Sequence, residues 1–114
     1  MGKAPSLKRT MIVYGEDTAQ AWLMAQIVNL NDFCGVKQKM TYEQMEECAR
    51  IFITDYSQLK LTELMLFFHN VKKGTYGTFF GVVDAQKLLA MMYDFMDYRS
   101  DKLDEYLRKG MIRE

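Results

Sequence analysis

The sequence predicts an all-α domain of four helices, with one Gly/aromatic loop or short hairpin between the third and fourth. Three observations predict it. Apolar residues recur at three- and four-residue spacing in four separate segments, the period of a helix with one buried face. Capping residues precede these segments and glycines follow them. The one long departure, residues 74–83, places three glycines among aromatic and β-branched residues, a composition unsuited to a regular helix.

Residues 1–10 read as a flexible basic tail, because Lys3, Lys8 and Arg9 stand there without an acid, beside the only proline, Pro5. A single helical domain is expected over 11–114. It opens with the apolar run Met11-Ile12-Val13-Tyr14, either a short strand or a docking segment, closed by Gly15. Asp17 with Gln20 three residues on provides an N-cap and its reciprocal partner. The helix after it aligns Trp22, Leu23, Ile27, Leu30 and Phe33 on one face, and Gly35 is its expected stop.

Thr41 and Gln44 form a capping box for the second helix, with Met45, Cys48, Ala49 and Phe52 inward. Its outer face carries Glu43, Glu46, Glu47 and Arg50, and Tyr56-Ser57-Gln58 breaks its pattern. The third helix is expected from Leu61 to Lys73. Leu64-Met65-Leu66-Phe67-Phe68 is apolar nearly all round, which marks a central helix. Lys72 and Lys73 complement the dipole of its last turn, and Gly74 stops it. Asp84 caps the fourth helix, expected over 85–109 with Gly110 as its stop. Leu88, Met92, Phe95, Leu103 and Tyr106 form its stripe, interrupted by Arg99. Asp104 with Arg108 and Glu105 with Lys109 are favourably oriented ion pairs.

Composition narrows the function classes. A chain of 114 residues can bury roughly 65% of its unfolded surface, enough for one core without staples. The 15 basic and 15 acidic residues cancel, so the overall positive field of a general nucleic-acid binder is missing. Cys34 and Cys48 form neither a disulfide framework nor a Cys/His metal cluster, which points to a reducing cytoplasm. The longest uncharged run, Thr18 to Asn31, is too short to span a bilayer, and no signal peptide is expected. Met1-Gly2-Lys3-Ala4-Pro5-Ser6 fits the permissive myristoylation pattern, but an ordinary start is the preferred reading. No cofactor and no metal are expected.

Lys60-Leu61-Thr62-Glu63-Leu64-Met65-Leu66-Phe67-Phe68 leads into Val71-Lys72-Lys73-Gly74, Tyr76-Gly77, Phe79-Phe80-Gly81 and Val83-Asp84. This combination resembles an uncharacterised protein family of Bacteroidales phages and mobile genetic elements. Val36-Lys37-Gln38-Lys39-Met40 through Met45 is similar as well, and the resemblance covers roughly residues 11–100. It implies a phage or mobile-element setting in the cytoplasm of a bacterial host. It supplies no catalytic residue, and His69 stands where the family pattern has a basic residue.

The Gly/aromatic connection is the strongest ligand candidate. Lys72 and Lys73 suit phosphates, while Tyr76, Phe79 and Phe80 offer stacking faces, the logic of single-strand binding. The competing and preferred reading turns these rings inward to close the core. Its glycine spacing matches neither a P-loop nor a dinucleotide fingerprint.

Asp94, Asp97, Asp101 and Asp104 share one side of the last helix, read as a solvated face rather than a cation site. His69, the only histidine, has no nucleophile partner in the pattern, and the serines lack an elbow motif. The ten methionines mainly suit an irregular core. Met91, Met92, Tyr93 and Met96 nevertheless leave the last helix apolar almost around its circumference, so they are candidates for a partner interface. The expected function is therefore a non-enzymatic interaction protein acting through protein contacts, as a homodimer or with another protein. The alternatives are a nucleic-acid-binding accessory factor of replication or transcription, and an inhibitor of a host defence or polymerase protein.

Overall fold

The computed structural model describes residues 4–79 and 81–113, with side chains described as far as Arg99. The chain forms α1 (Leu7–Tyr14), α2 (Glu16–Phe33), α3 (Tyr42–Asp55), α4 (Leu61–Lys73) and α5 (Ala85–Arg113). The all-α class is as expected, with five helices in place of four. No strand occurs among the described residues, only two isolated bridges, Ser6 with Lys60 and Gln38 with Val82.

The additional helix, α1, lies across the boundary between the expected tail and the apolar run after it. Ser6 caps it by accepting from the Arg9 backbone N–H at 3.0 Å. The Leu7 and Lys8 N–H groups donate to the Leu59 and Ser57 carbonyls, both at 2.8 Å. In return Leu61 N–H donates to the Pro5 carbonyl at 3.0 Å. Two helix starts, α1 and α4, thus satisfy each other's orphan donors. Leu7 is fully buried and Thr10 nearly so. The partners are some fifty residues away, so nothing local in the sequence announces them.

α1 packs on α2, α2 on α3 and α4, and α5 lies across both α3 and α4. The expected inner faces are largely those observed. Leu23, Ile27 and Leu30 of α2, and Met45, Cys48, Ala49 and Phe52 of α3, are buried. Trp22 is only half-buried, and Phe33 turns outward with 62% of its surface exposed. α2 begins at Glu16 with Gly15 as its N-cap and ends at Phe33 with Cys34, in extended backbone, as its C-cap, so neither Asp17 nor Gly35 has its expected role.

The Thr41/Gln44 capping box and the left-handed Gly74 stop at φ 81° are present. α4 is central through Phe67, whose ring meets Phe52 at 6.1 Å, Phe68 at 5.2 Å and Phe95 at 5.6 Å, all edge-on. Such pairs contribute about 0.5–1.5 kcal/mol each beyond area burial. α4 is not covered all round, for Met65 is 53% exposed.

Asp84 caps α5 through the Gln86 N–H at 2.9 Å. α5 passes Gly110 without stopping, and its 29 residues run about 43 Å. Leu88, Met92 and Phe95 are buried as expected. The side chains of Leu103, Tyr106 and the two expected ion pairs lie outside the described residues, as do residues 1–3.

Candidate functional site

The α2–α3 and α4–α5 connections meet. Gln38 N–H donates to the Gly81 carbonyl at 3.2 Å, and Val83 N–H donates to the Gln38 carbonyl at 2.9 Å. A buried Asn31 fixes the first connection: its amide donates to the Met40 carbonyl at 3.1 Å and accepts from Met40 N–H at 2.9 Å. These bonds bring the C-terminal ends of α2 and α4 to the walls of one cleft. It has a volume of about 170 Å³, with Phe33, Cys34 and Val36 on one side and Lys72, Lys73 and Phe79 on the other.

Lysines and rings are paired there. The Lys72 ammonium stands 5.7 Å from the Phe33 ring centroid and donates to Asn29. The Lys87 ammonium stands 5.8 Å from the Phe79 ring and donates to the Thr78 carbonyl. Lys39 donates to the Asp32 carbonyl at 3.3 Å. Each ring presents a negative face to a cation, worth roughly 0.5–1 kcal/mol at exposed sites. Burial raises the Cys34 thiol above its ordinary value, and Lys39 and Lys72 oppose that rise.

The expected loop residues do not all reach this cleft. Lys72, Lys73 and Phe79 line it. Tyr76 turns inward, stacked on Phe67 at 6.0 Å and 22°, with its hydroxyl accepting from Asn70 at 3.1 Å. Burial raises its phenol pKa; the Asn70 bond opposes this, while Tyr98 and Asp94 add to it. Phe80 lies outside the described residues. Sequence reasoning missed Phe33 as a cleft residue, because helical spacing put it on the buried face. A residue in the last turn of a helix can outrun the core that the same stripe covers earlier, which was the available signal.

The expected interface on α5 divides. Met91 and Met92 are 3% and 0% exposed and belong to the core, so they offer no contact surface. The physical reason is that α5 straddles α3 and α4, so its own chain covers both sides of the stripe. Met96 is half-buried and Tyr93 is 71% exposed. Asp94 and Asp97 are exposed, and the Asp101 and Asp104 side chains lie outside the described residues. No group of three or more metal-ligating side chains occurs among the described residues. His69 is exposed.

A second surface stands out at the bend between α1 and α2. Ile12, Val13 and Tyr14 are 71%, 55% and 70% exposed. They are successive, and Gly15 at φ 95° turns the chain immediately after them. None of the sequence-predicted site residues lies here.

These features define a small all-α domain with a lysine–aromatic cleft and an exposed apolar bend. The chain belongs to a family of unknown function (DUF6633), whose profile matches residues 39–111. The match takes in α3, α4, the connection over 74–84, and most of α5. No curated protein and no solved structure is detectably similar. Among the described residues no helix is long and apolar enough to cross a membrane.

Proposed function

We propose that the protein is a non-enzymatic interaction module that acts through protein contacts and self-associates by the α1–α2 bend. The observation that carries this reading is the exposed succession Ile12, Val13 and Tyr14. Three exposed large apolar side chains on one helical turn mark a contact site more often than singly scattered ones do. A formal net charge of zero leaves little long-range repulsion between copies. Tyr93 and Met96 on α5 are a separate, smaller contact area. The setting we assign is a phage or mobile element in the cytoplasm of a bacterial host, on the resemblance carried by residues 60–84.

Sedimentation velocity over a range of concentrations tests it. A reversible dimer is expected, weakened by Ile12→Glu combined with Tyr14→Ser. Both side chains are exposed, so the double variant retains the wild-type helicity. A wild-type protein that stays strictly monomeric at the highest concentration reached overturns the reading.

A further inference from the structure

We infer that the cleft between the C-terminal ends of α2 and α4 binds single-stranded nucleic acid, with a base on Phe33 and backbone phosphates on the surrounding lysines. This site is distinct from the α1–α2 bend and does not depend on self-association.

The charge near the cleft decides the sign of the ligand. The helix ends and connections around it, residues 32–39, 71–79 and 81–87, contain Lys37, Lys39, Lys72, Lys73 and Lys87 against Asp32 and Asp84. Two helix C-termini also end here, each contributing roughly −0.5 of a charge. Together they reach roughly −1, half of it offset by roughly +0.5 at the α5 N-terminus, against a side-chain excess of three positive charges. A net-neutral chain thus carries a positive excess in the stretches that frame the cleft, which Lys72 and Lys73 line, and a polyanion is the complementary ligand.

The ring decides the kind of polyanion. Phe33 is 62% exposed at the mouth of the cleft, although helical spacing would place it inside. Its position leaves ring surface available to a planar group while Lys72 stands 5.7 Å from its centroid. An aromatic platform beside phosphate-binding cations is what an unpaired base and its backbone require. Duplex bases are stacked on one another and present no face to a single ring, so single strands are favoured. Phe79 with Lys87 repeats the ring–cation pairing on the opposite wall.

Fluorescence anisotropy of a labelled oligothymidylate of about twelve nucleotides tests this at about 20 mM salt. Saturable binding is expected, falling steeply as salt rises. Phe33→Ala weakens it by about 5- to 160-fold, the range for loss of one stacked base. Lys72→Ala with Lys73→Ala weakens it and lowers the log–log salt slope by about 0.7 for each phosphate left without its lysine. Circular dichroism confirms that these surface variants keep their helicity. Ile12→Glu with Tyr14→Ser leaves oligonucleotide binding unchanged, which separates this site from the self-association surface. No binding by the wild type at low salt overturns the inference, as does indifference to Phe33→Ala. Displacement of the oligonucleotide by polyglutamate at equal charge concentration would assign the cleft to acidic polypeptides and equally overturn it.

Discussion

One carboxylate, that of Glu63, caps α4 and anchors α5 through Arg99. Its Oε1 accepts from the Lys60 N–H at 2.9 Å, closing the start of α4. Its Oε2 accepts from the Arg99 Nε. The Glu63 side chain is only 12% exposed and that of Arg99 35%. Arg99, which interrupts the apolar stripe of α5, thus ties that helix to the first turn of α4.

Removing either partner is expected to destabilise the fold. Arg99→Leu leaves a mostly buried carboxylate with one backbone donor, at a cost of about 1–3 kcal/mol, lowered from the fully buried case by the exposure of Arg99. Glu63→Ala also removes the cap and costs about 1 kcal/mol more. Urea unfolding of the two single variants and the double variant measures the coupling. Strict additivity would show that the pair contributes nothing of its own.

Asn31 is expected to be as sensitive. Its side-chain amide pairs with both backbone groups of Met40, reproducing in a buried place the bonding of a strand neighbour. Asn31→Ala strands a buried donor and acceptor, and about 2–4 kcal/mol is lost. Asn31→Asp keeps the acceptor but sets a carboxylate oxygen against the Met40 carbonyl, so it should be no better than alanine. Chemical denaturation of both variants checks the order. The same substitutions loosen the α2–α3 connection that frames the cleft.

What was legible in the sequence is what local chemistry sets. The Thr41/Gln44 box, the Gly74 stop and the buried face of α3 depend on residues within a turn or two of each other. Lys72, Lys73 and Phe79 were legible as a cluster because they lie within eight residues of each other, across the end of α4. Phe33, Lys39 and the burial of Met91 and Met92 were not. Phe33 faces the end of α4, and Lys39 stands beside the α2 end, in a geometry that the Gln38 pairing with Gly81 and Val83 helps to set. The methionines are buried because α5 rests on two helices at once, and amphipathic spacing cannot show how many neighbours a stripe has.

Cys48 should be the less reactive thiol and a source of alkaline sensitivity. It is 1% exposed, and burial, reinforced by Glu47, pushes its pKa from the ordinary 9.0 to about 11. The folded state holds this proton more tightly than the unfolded state. Stability from this group is therefore complete below pH 9 and is lost as pH rises from about 9 to about 11. The loss amounts to about 2–3 kcal/mol. Cys48→Ala should flatten that part of the stability profile. At pH 8 iodoacetamide should modify the half-buried Cys34 well before Cys48, as peptide mass mapping would show.

The N-terminal segment offers the sharpest test of how the domain is closed. A flexible tail could be removed with no effect on folding. Here Leu7 is fully buried, its N–H bonds to Leu59, and the Pro5 carbonyl receives the first N–H of α4. Leu7→Ala removes three carbons from a closed core and is expected to cost about 2–5 kcal/mol. Deleting residues 1–9 costs more, because it also exposes the α2 face under α1 and leaves Leu61 N–H without its acceptor. Thermal melts followed by circular dichroism should place the deletion below Leu7→Ala, and both below the wild type. Lys8→Ala, at an exposed position whose N–H bond to Ser57 is retained, should melt with the wild type. Equal melting temperatures for the wild type and the deletion would show that α1 contributes no closure to the fold.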